Sequence, residues 1–120
     1  MTLIKIDKAW DFGDQQSITV HDKKYNIHAA VTLARDIEEK ELLIEDMYIG
    51  YGSPCSDSLR SFLEHYKMVD DADLSYPILL NEDGCIIDGR HRLAKAILIE
   101  CKTIKAKRFK KDPSACYTWV

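Results

Sequence analysis

The sequence predicts a small α/β (α+β) domain, in which a small mixed sheet packs with helices. Short apolar runs typical of strands are interspersed with stretches that repeat apolar residues every three to four positions. A chain of 120 residues has the length of one ordinary domain. No glycine- and serine-rich linker and no internal repeat divides it, so we expect residues 1–120 to form a single unit.

The first third of the chain predicts a hairpin, a helix and a strand, in that order. Residues 17–20 and 24–27 flank the polar segment 21–23, as the two strands of a small hairpin would. A helical spacing follows, and a strand is predicted at 42–44. The residues with helical spacing are Ile27, Ala30, Val31, Ala34 and Ile37.

A loop at 50–54, with two glycines and a proline, separates this part from a second predicted helix. Ser56 or Asp57 is suited to cap that helix. Its apolar stripe consists of Leu59, Phe62, Leu63 and Tyr66. We interpret the stripe as core packing.

The second half of the chain predicts a strand, a turn, a strand, a helix and a final strand. The predicted strands cover 76–80 and 85–87 around the turn 81–84, and the last strand covers 103–109. Between them, Leu93, Ala96 and Ile97 define one helical face, with Asp88 as the expected N-cap.

Charge is distributed unevenly along the chain, although its net value is only −3. Residues 1–85 hold 8 Lys and Arg against 17 Asp and Glu, whereas residues 86–111 hold 9 against 2. A concentrated basic stretch is typical of proteins that bind a phosphate-bearing partner. No apolar run is long enough to cross a membrane and no signal peptide is evident, so we expect a cytoplasmic protein.

The four cysteines form no CxxC pair and have no paired histidines at zinc-ligand spacing. This pattern argues against a zinc site and for reduced, partly buried thiols. The cysteines are Cys55, Cys85, Cys101 and Cys116.

The most informative segment begins at Asp88. Arg90, His91 and Arg92 are predicted to occupy the first helical turn, where the helix dipole disfavours cations and favours anions. A phosphate group bound there would reverse this cost, and Gly89 would allow the backbone to approach it closely. The alternative is that the arginines pair with acidic residues and that His91 only fills space.

The run Cys85-Ile-Ile-Asp-Gly-Arg-His-Arg-Leu-Ala-Lys-Ala96, together with the flanking strands, resembles the ParB/sulfiredoxin superfamily over residues 56–109. The resemblance implies that family's small α/β domain, in which a glycine-histidine-arginine box binds the phosphates of ATP or CTP. It implies Gly89, His91 and Arg92 as phosphate ligands, with Arg90 assisting. Arg90 stands where sulfiredoxin has its reactive cysteine, so sulfinic acid reduction is not implied.

Three functions follow as hypotheses. The first is binding of ATP or CTP with Mg²⁺, with weak hydrolysis or phosphotransfer, for which Asp88, Glu45 and Asp46 are candidate general bases by residue type. The second is DNA binding or cleavage through the basic stretch, with Phe109 and Trp119 available for base stacking. The basic residues are Lys105, Lys107, Arg108, Lys110 and Lys111. The third is a phage or mobile-element adaptor that binds a host protein through exposed aromatics in 48–51 and 116–120.

Overall fold

A computed structural model describes residues 17–47 and 58–120 of the protein. The predicted loop 50–54, the proposed caps Ser56 and Asp57, and the aromatic segment 48–51 lie outside the described residues. The described strands are β1 Ser17–Val20, β2 Lys23–Asn26, β3 Lys40–Leu43, β4 Ile78–Leu80, β5 Ile86–Asp88, β6 Thr103–Arg108 and β7 Tyr117–Trp119. The described helices are α1 Ile27–Leu33, α2 Leu59–Asp71 and α3 Arg90–Leu98. The α+β class predicted from the sequence is confirmed.

A four-stranded mixed sheet forms the centre of the described structure, with the strand order β3-β6-β4-β5. β4 and β6 are parallel, whereas β3 with β6 and β4 with β5 are antiparallel. Parallel strands need a crossover, which here passes through β5 and α3. The predicted succession of strand, turn, strand, helix and strand is therefore confirmed.

A second sheet is antiparallel, with the order β1-β2-β7. Its hairpin is the predicted one and turns at His21 and Asp22. β7 was not predicted as a strand: it pairs with β2 so that Lys23 lies opposite Trp119 and Tyr25 opposite Tyr117. Tyr117 and Trp119, which the sequence suggested as part of a protein interface, are thus residues of a strand.

Apolar side chains bury both faces of the mixed sheet. Along β4, Ile78 and Leu80 point to a cluster with α3, whereas Leu79 points to a cluster with α1 and the second sheet. Alternation of this kind is the period of a strand that is buried on both sides. Full burial of each such side chain contributes about 1.5–3 kcal/mol to stability, so burial on both faces stabilises the sheet between its two layers.

A buried polar network connects the second sheet to the turn between β4 and β5. Asp112, only 3% exposed, accepts hydrogen bonds from the Tyr25 hydroxyl at 2.5 Å, the Lys23 Nζ at 3.0 Å and the Glu82 amide at 2.9 Å. Burial alone would raise the pKa of Asp112, but these hydrogen bonds lower it below its usual value. The carboxylate therefore stays ionised and stabilises the junction.

Three of the four residues in the predicted apolar stripe of α2 are exposed, contrary to the sequence-based interpretation, and the fourth, Leu63, is partly buried. Leu59, Phe62 and Tyr66 are 68%, 50% and 59% exposed. The inward face of the helix carries Ser61, His65 and Met68, of which His65 is buried. These positions are also spaced as one helical face, so periodicity alone did not decide which face packs. None of the helices in the described part of the chain is long and apolar enough to span a bilayer.

Candidate functional site

The connection from β5 to α3 depends on Gly89. This residue has φ +106°, a conformation that residues with a Cβ rarely adopt. A Cβ built on it would lie 2.5 Å from Cγ2 and 2.8 Å from Cβ of Ile78. Gly89, and not Asp88, is the N-cap of α3, and no side-chain cap hydrogen bond is made there. The prediction of Asp88 as the cap was wrong, because Asp88 is the last residue of β5.

The first turn of α3 holds Arg90, His91 and Arg92, as predicted. All three are half-buried and no acidic residue accompanies them in that turn. The first amides of any α-helix lack an intrahelical acceptor, and the glycine cap supplies no side-chain oxygen for them. Positive charge from the backbone and from the side chains is thus concentrated in one place.

Asp88 and Arg92 form an ion pair across this turn. Nη2 of Arg92 donates to Oδ2 of Asp88 at 2.9 Å, with side-chain exposures of 21% and 34% respectively. Nε of Arg92 is buried and has no hydrogen-bond acceptor among the described residues. A guanidinium has five N–H donors, so this pair leaves most of the Arg92 donors for other acceptors. Arg92 therefore forms the ion pair that the sequence suggested as the alternative to anion binding. The pair uses one of its N–H groups, so it does not prevent Arg92 from binding an anion as well.

His91 lies against His65 of α2. Their ring planes are 15° apart and their centroids 5.3 Å apart, and the rings meet edge to edge, with Nδ1 of His65 3.0 Å from Nε2 of His91. Burial lowers the pKa of His91, and the neighbouring His65, Arg90 and Arg92 lower it further, while Asp88 opposes them. Burial also lowers the pKa of His65, against the opposing effect of Glu64. Both rings are therefore held neutral more strongly than an exposed histidine.

The three candidate general bases are not brought together. Glu45 and Asp46 are exposed in a short 3-10 helix, Ile44–Asp46, that follows β3. β3, which leads into that short helix, and β5, which ends at Asp88, are the two edge strands of the mixed sheet. Asp88 contacts the first turn of α3 through its ion pair with Arg92. Among the residues that the structure describes, no group of three or more histidine, cysteine, aspartate or glutamate residues could hold a metal.

The basic residues of the C-terminal stretch are divided by the fold. Lys107 donates from Nζ to the carbonyls of Ala34 at 3.2 Å and Arg35 at 3.1 Å, which stabilises the end of α1. Arg108 donates to the Glu82 carbonyl from Nε at 3.2 Å and from Nη2 at 2.6 Å.

The other members of this stretch differ in exposure. Lys105 lies opposite Glu41 in the sheet, and Lys110 and Lys111 are exposed. Phe109 is only 4% exposed, because it packs in the cluster with α1. Its predicted availability for base stacking was therefore wrong.

An open cavity of about 1030 Å³ lies beside the ends of β3 and β6. Its lining combines Arg108, Lys110 and Lys111 with a fourth cation, Lys40, which the sequence analysis did not single out. Two carboxylates, Glu38 and Glu82, lie among them, and the apolar lining is Ile37, Leu42, Ala106 and Phe109. Only the tertiary structure brings Lys40 and the other cations together.

His65 is the other residue that sequence reasoning missed. Its signal was present, because His65 is the centre of the helical face 61, 65 and 68, which the fold turns inward. Of the cysteines, Cys85, Cys101 and Cys116 are free thiols. Burial raises the pKa of Cys85, which disfavours its thiolate, although its Sγ lies 3.9 Å from Nε2 of His21.

Comparison of the chain with protein-family models, with curated proteins and with solved structures found no match to any of them.

Proposed function

We propose that this protein binds the phosphates of a nucleoside triphosphate, ATP or CTP, at the first turn of α3, as its resemblance to the ParB/sulfiredoxin superfamily implies. The observation that carries the proposal is the arrangement of that turn. Three half-buried cationic or potentially cationic side chains surround a helix start that has no acidic residue and no side-chain cap.

Electrostatics favours an anionic ligand at this position. A helix N-terminus carries roughly half a positive charge, and each added cation there costs about 0.3–1 kcal/mol. The cost increases where water is partly excluded, as it is around these half-buried side chains. A multiply charged phosphate chain would convert each of these repulsions into an attraction.

The individual residues have distinct roles in the proposed site. A Cβ at Gly89 would point at Ile78 and not at the ligand, so this glycine provides the positive φ and the close packing from which α3 and its unpaired first amides begin. Arg92 offers the guanidinium donors that Asp88 does not use, and Arg90 adds a second fork for phosphate oxygens. Asp88 is the one candidate base at the site, so any hydrolysis or phosphotransfer would depend on it and not on Glu45 or Asp46.

Isothermal titration calorimetry with ATP, CTP and GTP, with and without Mg²⁺, tests this proposal. Arg92→Ala should weaken binding by on the order of tenfold or more, because a hydrogen bond to a charged group contributes about 1.5–3 kcal/mol. The matched control is Arg35→Ala, an exposed arginine beyond α1 that should leave affinity unchanged.

Two outcomes would contradict the proposal. One is the absence of binding at millimolar concentrations of all three nucleotides. The other is equal affinity in the wild-type protein and in Arg92→Ala. The relative affinities of the wild-type protein for the three nucleotides would identify which base is preferred.

The cavity beside β3 and β6 favours a second candidate function, binding of single-stranded DNA. Four cations from two segments of the chain, with two carboxylates among them, surround an apolar lining, a combination suited to a phosphate backbone and to bases. The residues that support this function are Lys40, Lys110 and Lys111. Arg108 also lines the cavity, but it donates to the Glu82 carbonyl, as Lys107 donates to the carbonyls of Ala34 and Arg35.

Fluorescence anisotropy with a labelled single-stranded oligonucleotide tests the second function at low and moderate salt. The double variant Lys110→Ala with Lys111→Ala should weaken binding and reduce its salt dependence, since fewer counterions are released. The variant Lys24→Ala with Lys67→Ala removes the same charge from exposed positions that do not line the cavity and serves as the control. Binding that does not weaken as salt rises would exclude this function.

A further inference from the structure

His65 of α2 and His91 of α3 form a hydrogen-bonded pair, with 3.0 Å between Nδ1 of His65 and Nε2 of His91. Two nitrogens at this distance need one N–H between them, because two bare lone pairs would repel. The neutral pair holds two N–H groups in all. One lies between the rings and only one can point outwards.

The tautomer of His91 decides what it can offer an anion. When the N–H between the rings belongs to His91, its Nδ1 is bare and cannot donate to a phosphate oxygen. When that N–H belongs to His65, neutral His91 can donate from Nδ1 but carries no charge. One additional proton on the pair gives His91 both N–H groups, one donating to His65 and one available to the ligand. The charged ring would then also attract the anion directly.

The surroundings of the pair oppose that proton unless negative charge is added. On α3, Arg90 and Arg92 disfavour a charged His91, and Asp88 at the end of β5 favours it. On α2, Glu64 favours a charged His65, although it also pairs with Arg60 at 3.3 Å. Asp73, beyond α2, interacts with Arg92 and Lys95. Burial adds to the arginines, so the balance favours a neutral pair.

We propose that phosphate binding at α3 is coupled to uptake of a proton by the His65–His91 pair, with His91 donating to the phosphate and His65 as the positioning residue that accepts its second N–H. The inference rests on the proposed phosphate site. A polyanion placed beside the pair reverses the electrostatic balance that excludes the proton, and by linkage the proton in turn strengthens binding of the polyanion. Affinity should therefore rise as the pH falls.

Calorimetric titration with ATP, or with CTP if it binds more tightly, measures the proton directly. The titration is repeated at one pH in buffers of different ionisation enthalpy, and the slope of the observed enthalpy gives the protons taken up. His91→Gln keeps an amide donor but removes the ring that contacts the ligand, so its slope reports the proton uptake of the nucleotide and of the remaining groups. The wild-type protein should take up more protons than His91→Gln, by as much as about one per site. The affinity of the wild-type protein should fall by up to about tenfold for each unit by which the pH rises.

Variants at position 65 test the positioning role. His65→Leu removes the acceptor and should reduce proton uptake to the level of His91→Gln. His65→Asn places an oxygen near the position of Nδ1 and should restore uptake, which a purely space-filling role for His65 would not produce. His28→Gln, an exposed histidine on α1, should behave as the wild-type protein.

The outcomes separate the two proposals. Absence of nucleotide binding would overturn both. Binding with equal proton uptake in the wild-type protein and His91→Gln would overturn the coupling and leave the phosphate site intact. Equal uptake in His65→Leu and the wild-type protein would overturn the role of His65. If His91→Gln binds too weakly for titration, the comparison of His65→Leu with His65→Asn decides, provided that thermal unfolding shows both to be folded.

Discussion

The close approach of Gly89 to Ile78 predicts that Gly89→Ala is strongly destabilising. A Cβ at position 89 would stand 2.5 Å from Cγ2 of Ile78 and 3.0 Å from its Cα, which is closer than real Cβ contacts come. Ile78 is fully buried in β4 and has no space into which to retreat. The residue would also hold an unfavourable positive φ.

The expected magnitude has two parts. A residue with a Cβ in this backbone region costs about 1–3 kcal/mol, and overpacking against a buried side chain costs about 1–3 kcal/mol more. The sum, about 2–6 kcal/mol, is a large fraction of the roughly 5–15 kcal/mol by which a domain is stable. Gly84→Ala provides the matched control: its φ is +84°, but its Cβ would meet only the Arg108 side chain, at 3.5 Å. Gly84→Ala should therefore lose only the stability that the positive φ costs a residue with a Cβ.

Urea unfolding followed by far-ultraviolet circular dichroism measures both variants. With equal slopes, the difference in midpoint converts into the steric part, about 1–3 kcal/mol. If Gly89→Ala were no less stable than Gly84→Ala, the close contact between Gly89 at the start of α3 and Ile78 of β4 would be contradicted. The geometry of the proposed phosphate site would then lose its basis.

Two further predictions concern the buried network and the exposed stripe of α2. Asp112→Asn should lower the free energy of unfolding by about 3 kcal/mol at pH 7, since it breaks a buried ion pair. The pKa of Asp112 is lower in the folded protein, so its contribution is present above pH 3.8 and is lost as the pH falls through the folded value. A difference between variant and wild type that stays constant down to pH 2 would contradict this. Phe62→Gln should change the free energy of unfolding by about 1 kcal/mol or less, whereas Leu93→Ala, at a buried position, should cost about 2–5 kcal/mol. Equal losses in these two variants would mean that the stripe is packed after all.

Local patterns were sufficient for much of the fold. The hairpin near the N-terminus, the strand at 78–80 and the start of α3 all follow from alternation, turn residues and helical spacing, which act over a few positions. The cap of α3 was misplaced by one residue, because Asp88 has a capping side chain but its backbone belongs to β5. A pattern of residue types does not reveal such a competition between neighbouring elements.

That Arg90, His91 and Arg92 share the first turn of one helix follows from the amino-acid sequence, since the helical spacing after them places three consecutive residues in that turn. Three contacts follow only from the folded arrangement: His65 packs on His91, Lys40 joins the cations of the C-terminal stretch, and β7 completes the sheet of the hairpin. The face of α2 that turns inward was likewise seen only in the folded structure. These contacts join residues that are far apart in sequence, and their formation depends on the free energy of burying whole surfaces together, which no short window of residues contains.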